Sequence, residues 1–325
     1  MRTLRPALLA ASAATCALLL GLTACGGGSS TTAGQAHGHA PASSPESRTS
    51  PTASMPSKPS MPSTPSTNGM DGMDGMDGMD APASANGLSA DRDGYRLVSP
   101  DARLPSGAPA TYRFSVTAPD GGPLTAFALD QTQRMHFYAV RSDLTGFQHV
   151  HPGMAKDGTW TARLAALAPG AWRFFASFTP DAGPGKGTDV VLSRTVTVPG
   201  AASSPVPLPA PKTSATVDGY TVTVKGDVMA GMAGMAHPLA VTVTRNGRPV
   251  TDLQPYLGTY AHLTAFHAGD LAFAHLHPTT AVNGDHGGPE LAFHAELPTA
   301  GDWRLFLQFR TQGTLHTAAL TLRAG

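Results

Sequence analysis

Thiols are nearly absent from this chain: 325 residues contain two cysteines, Cys16 and Cys25. Both lie close to the N-terminus, so no disulfide can staple the remainder, which must hold together by packing and hydrogen bonds. Charge is scarce as well, with 22 basic and 22 acidic residues, no net charge and no basic block. A duplex-binding surface needs clustered Lys and Arg, so nucleic acid is not an expected partner. Beyond Leu22 no run is long and apolar enough to span a bilayer. The chain also lacks Gly-x-Ser-x-Gly, His-Glu-x-x-His, a Gly-rich phosphate loop and Cys-x-x-Cys. Those absences remove the usual signatures of hydrolases, metalloproteases, nucleotide sites and dithiol redox centres. What remains for chemistry is 13 histidines and 12 methionines.

The N-terminus reads Met1-Arg2-Thr3-Leu4-Arg5, followed by small and apolar residues from Pro6 to Leu22. A cationic start before a short apolar run is the layout of a secretory signal. It closes on Leu22-Thr23-Ala24-Cys25-Gly26, which resembles the lipobox of bacterial lipoproteins. That resemblance implies a signal peptide over 1–24, acylation of Cys25, and a membrane partner reached through the lipid on the extracytoplasmic face. An ordinary signal peptide with an incidental Cys25 is the bland alternative. Residues 25–90 are rich in Gly, Ser, Thr and Pro with few aromatics. Such a composition cannot bury enough apolar surface to offset backbone ordering, so a disordered tether is expected. It carries His37-Gly38-His39 and the Met-Asp-Gly repeat from Met70 to Asp80.

After Gly94 short β-prone runs alternate with Gly, Pro and Asp turns, among them Tyr112 to Thr117, Met135 to Val140, Trp172 to Phe178 and Val190 to Val198. The texture returns after a Ser/Pro-rich linker over 201–211, in runs that include Tyr220 to Val224, His262 to Phe266, Leu271 to Leu276 and Trp303 to Phe309. Many short strands without a long helical pattern predict an all-β fold, two tandem immunoglobulin-like β-sandwich domains over 91–200 and 212–325. The domains read as copies. His136, His149, His151 and Pro152 recur as His262, His275, His277 and Pro278 at the same spacing, and Pro169 to Arg173 resembles Ala300 to Arg304. Trp160, Trp172, Trp303 and the pair Phe174-Phe175 are expected in the cores.

Residues two apart on a strand share a face. His149 with His151, and His275 with His277, therefore form same-face pairs that His136 and His262 could join from a neighbouring strand. Each domain would then present a three-histidine site, at a strand end set by Pro152 or Pro278. Imidazole suits Cu(II), Zn(II) and Ni(II), whereas the thioethers of Met229, Met232 and Met235, just before His237, favour Cu(I). His286, in a Gly-rich insert, and His294 make the second domain the denser site. Copper in either oxidation state is the expected ion, with zinc as the other option, and affinity should fall below about pH 6 as imidazoles protonate. Blue-copper chemistry needs a cysteine ligand that the mature chain does not offer. Asp143 and Asp270 could orient a ligating imidazole from outside the coordination sphere. The bland readings stay open beside these: histidines bonded to backbone carbonyls, as expected for His267 and His316, and duplicated packing residues.

The stretches Met135 to Pro152 and Gly269 to Pro278 resemble secreted proteins and lipoproteins of high-GC Gram-positive bacteria. The C-terminal half is also similar to the small domain called YtkA-like, with Leu239 to Thr244 and Gly247-Arg248-Pro249-Val250 as its hairpin. That resemblance implies fold, location and a copper context. The function expected from all this is non-enzymatic metal binding for buffering or delivery, with a membrane transporter or another envelope protein as partner. An immunoglobulin-like interaction module is the alternative, and a metal-dependent envelope enzyme the third reading.

Overall fold

The computed structural model describes residues 86–201, 204–226 and 237–325, without the side chain of His275. The expected signal peptide, Cys25, most of the expected tether with its His and Met motifs, and Met229, Met232 and Met235 lie outside the described residues. Among the described residues every regular element is a strand.

The first region contains β1 (Asp91–Arg92), β2 (Tyr95–Val98), β3 (Ala110–Thr117), β4 (His136–Arg141), β5 (Gln148–Val150), β6 (Gly153–Met154), β7 (Trp160–Leu164), β8 (Gly170–Phe178) and β9 (Val190–Val198). They form two antiparallel sheets, β1-β2-β3-β7-β6 and β5-β4-β8-β9. Alternation explains the first sheet: Tyr112, Phe114 and Val116 of β3 point inward while their neighbours face out. Trp160, Trp172 and Phe174 join them in the core. The second region contains β10 (Ser214–Val217), β11 (Tyr220–Lys225), β12 (His237–Arg245), β13 (Arg248–Pro249), β14 (Ala261–His267), β15 (Phe273–Pro278), β16 (Glu290–Ala295), β17 (Gly301–Thr311) and β18 (Thr314–Ala324). Here one continuous path runs β10-β11-β12-β16-β15-β14-β17-β18, with β13 hairpinned onto β12. Lys212 beside β10 donates its N–H to the Thr321 carbonyl of β18, which brings the ends of the path together into a near-closed barrel.

The copies share their register. Tyr138 faces His149 across β4 and β5, and Thr264 faces His275 across β14 and β15. Trp172 and Trp303 each donate the indole N–H to a carbonyl four residues earlier, of Ala168 and Thr299. The β4–β5 and β14–β15 turns are also equivalent once a one-residue offset is allowed. In each, the Asp carboxylate accepts the N–H two residues on, Asp143 from Thr145 and Asp270 from Ala272, and the following Leu144 or Leu271 has positive φ. Asp143 pairs with Arg141, and Asp270 with His267. Both carboxylates are thus committed to their turns, not to the histidine pairs. Pro278 does close β15, whereas β5 stops at Val150, one residue short of His151.

Every residue of β4 is buried, because its second face packs on the second region. Tyr138, Val140, Leu144, Phe175 and Val191 meet Phe266, Phe273 and Phe306 in one apolar cluster. Its contacts come in matched pairs: Phe147 stacks on Phe306 at 4.2 Å, and their counterparts Phe273 and Phe175 lie 5.6 Å apart. The same patch of each copy therefore meets the other, as in a two-fold dimer. Residues 86–90, tether by composition, are threaded into this seam. Asn86 accepts from the N–H of Phe273, Gly87 from the Ser193 hydroxyl, Leu88 from Arg173 and Ser89 from the Ser193 N–H. At Gly87 φ is +66°, and a Cβ there would come 2.7 Å from Val191 Cγ1, so only glycine passes.

Phe175→Ala and Phe266→Ala are expected to lower unfolding stability by about 3–5 kcal/mol each. The two rings touch at 5.3 Å across the seam. The double variant should therefore lose less than the sum of the singles, measurable as a coupling energy in a denaturant cycle.

Candidate metal centre

Strand alternation aims the histidines at the seam. His136 opens β4 and shares the outward face of Tyr138 and Val140, while His149 lies opposite Tyr138 on β5 and His151 follows two residues later. Among the described residues, these three form the one group of three or more potential ligands, with one ring nitrogen each and all within 4.8 Å of one another. His136 Nδ1 lies 3.0 Å from His149 Nε2, and His151 Nε2 lies 3.2 Å from the same atom. Two nitrogens bound to one tetrahedral ion at about 2.0–2.1 Å sit about 3.3 Å apart, so the spacing suits a shared ion.

The remaining ring nitrogens decide which atoms offer lone pairs. His136 Nε2 donates to the Asp130 carbonyl at 3.1 Å, with the Asp130 carboxylate 3.9 Å away. His149 Nδ1 donates to Gln308 Oε1 at 2.7 Å, and Gln308 in turn donates to Thr317 at 3.4 Å. In that arrangement neutral His136 and His149 turn lone pairs toward one another, and a cation between them resolves the repulsion. An imidazole held by a carbonyl on one nitrogen and offering the other is the usual outer support of a metal site. Tyr138 fixes the His149 ring from one face, stacked at 4.3 Å and 18°. Sequence reasoning missed Asp130, Tyr138 and Gln308. Only Gln308 had no local signal at all, since it comes from β17 of the other copy.

Burial dominates the electrostatics. It lowers the pKa of His136 against the opposing pull of the Asp130 carbonyl and carboxylate. His149 is held well below the ordinary value, by burial first and then by the neighbouring imidazoles. His151 falls to about 4 and His262 to about 3 for the same two reasons. Burial therefore favours the neutral, ligating form of these imidazoles.

The second copy does not assemble an equivalent site among the described residues. His262 leaves its own repeat to face the first, with its ring 5.8 Å from His136 and 5.6 Å from His149. His277 and His294 are exposed cross-strand neighbours on β15 and β16, and His277 reaches Asp130 electrostatically. His286 is exposed in its loop, where its carbonyl accepts from the Tyr260 hydroxyl. His237 starts β12 opposite Ala295. Of the denser second site expected from the sequence, Met229, Met232, Met235 and the His275 side chain lie outside what is described; among the described residues the one cluster is that of His136, His149 and His151. His267 and His316 are held by Asp270 and the Ala300 carbonyl, and by Asp218 and Thr311.

The sequence matches the family described as a domain of unknown function (DUF8832) over residues 90–197 and 215–325. The chain belongs to that family. No curated protein matches it. Among solved structures, similarity is low in both sequence and superposition. The Escherichia coli adhesin FdeC is 15% identical over 71% of this chain and 64% of its own, with a TM-score of 0.22. The Yersinia pseudotuberculosis adhesin InvE is 14% identical over 70% and 58%, at 0.22. Native Escherichia coli alpha-2-macroglobulin is 11% identical over 74% and 15%, at 0.24. The chain spans less than two thirds of each of these proteins.

The unfolded chain, with histidines near 6.5, binds more protons than the folded one below that pH. Stability should be full above pH 6.5 and fall progressively toward pH 4 to 3, where His151 and His262 finally titrate in the fold. Urea midpoints at pH 7.5 and 5 should show the drop, and a His151→Gln, His262→Gln variant should lessen it, with His136 and His149 accounting for what remains.

Proposed function

We propose that this chain is a lipid-anchored, extracytoplasmic protein of tandem immunoglobulin-like domains that holds a copper or similar transition-metal ion for buffering or delivery. One observation carries the reading: three neutral imidazoles converge on one point, with Asp130 and Gln308 bonding the outer nitrogens of two of them. Three imidazoles without a thiolate suit Cu(II) or Zn(II). The methionines at 229, 232 and 235 and along the tether tip the choice toward copper, since they suit the reduced ion. The chemistry is reversible coordination and needs no substrate. The lipobox-like run ending at Cys25 supports the anchor, which would keep the site near a membrane transporter.

A second reading rests on the same contacts. The His149–Gln308 bond and the His262 packing join the two copies, so the cluster could serve as polar cement in a cell-surface interaction module.

Titrating the full chain with Cu(II), Zn(II) and, under reductant, Cu(I) separates these. The metal reading expects one ion per chain, with affinity at least about a hundredfold weaker in a folded His149→Ala, His151→Ala variant. Wild-type binding no tighter than that variant's sinks the metal reading and favours the second. Cys25→Ser should move the chain from the membrane to the soluble fraction; if it stays with the membrane, the anchor is not on Cys25.

A further inference from the structure

The seam gives the cluster a neighbour that three-ligand coordination leaves over. His262 is 1% exposed and comes from β14 of the second copy, at the position His136 holds in the first. Ring separations within the three-histidine group are 5.3 Å for His136 and His149, 5.1 Å for His136 and His151, and 4.6 Å for His149 and His151. His262 stands 5.8 Å from His136 and 5.6 Å from His149, outside the group whose ligand nitrogens all lie within 4.8 Å of one another. Tyr256 abuts its ring edge-on at 5.6 Å, limiting where the imidazole can swing. Closing the site would take a change of the His262 side-chain torsion or a movement of the seam.

We infer that His262 is the fourth ligand, so that a divalent transition-metal ion bound by His136, His149 and His151 of one domain is closed by the other. This rests on the metal reading above and adds what the ion does to the protein. A site with four protein ligands has no open position for substrate, which is the pattern of structural and holding sites and not of catalytic ones. Because the ligands come from both copies, binding the ion and docking the domains become one equilibrium. The ion stabilises the docked state, and anything that parts the domains releases the ion. Release for delivery would then need only a partner that competes for the seam.

The test uses the full chain loaded with Cu(II). Pulsed paramagnetic resonance that counts equatorial and axial imidazoles, supported by X-ray absorption of the Zn(II) form, is expected to find four nitrogen donors from histidine. His262→Gln should keep one ion per chain, lose one imidazole from the count, and weaken affinity at least about tenfold. It should also lose most of the metal-induced rise in unfolding temperature. A wild-type count of three, with His262→Gln binding as wild type while His149→Ala does not, overturns this inference and leaves the three-histidine site standing. No binding by the wild-type chain removes both. Should His262→Gln fail to fold, the wild-type ligand count alone decides.

Discussion

The second face of the β5-β4-β8-β9 sheet is the constraint on which the structure depends. An antiparallel sheet normally buries one face and leaves the other to water. Here Tyr138, Val140 and Phe175 put large apolar groups on the outer face, and a lone domain would expose them as a patch of the kind that marks an interface. The chain solves this internally, since the duplicated domain carries the same patch. Even the left-handed Leu144 fits the account. A leucine rarely adopts positive φ, yet its side chain is buried in the seam.

Putting the histidines on that face has chemical consequences. Buried imidazoles lose their protons readily, and neutral imidazole is the ligating form. The seam supplies low polarity, a carbonyl from Asp130 and an amide from Gln308, so desolvation and orientation come from one packing event.

Much of the fold was legible in the sequence because strand periodicity and turn residues are local. The core tryptophans, the strands around them and the repeat all follow from patterns within a few residues. Strand alternation put His149 and His151 on one face and left His136 as a residue that could join them from a neighbouring strand. What sequence could not show was that the two copies pack by those faces, which is a tertiary fact. That packing recruited Gln308 and brought His262 across. The Asp-Leu turns illustrate a subtler loss: a one-residue offset between copies hid that Asp143 and Asp270 do the same backbone work.

The threading of residues 86–90 into the seam has a mechanical side. Four consecutive residues are bonded to both copies at once, through Phe273 on one side and Arg173 and Ser193 on the other. Tension drawn along the chain from its N-terminal side therefore arrives at the junction and is shared between the domains, where a strand at the edge of one sheet would have taken it alone.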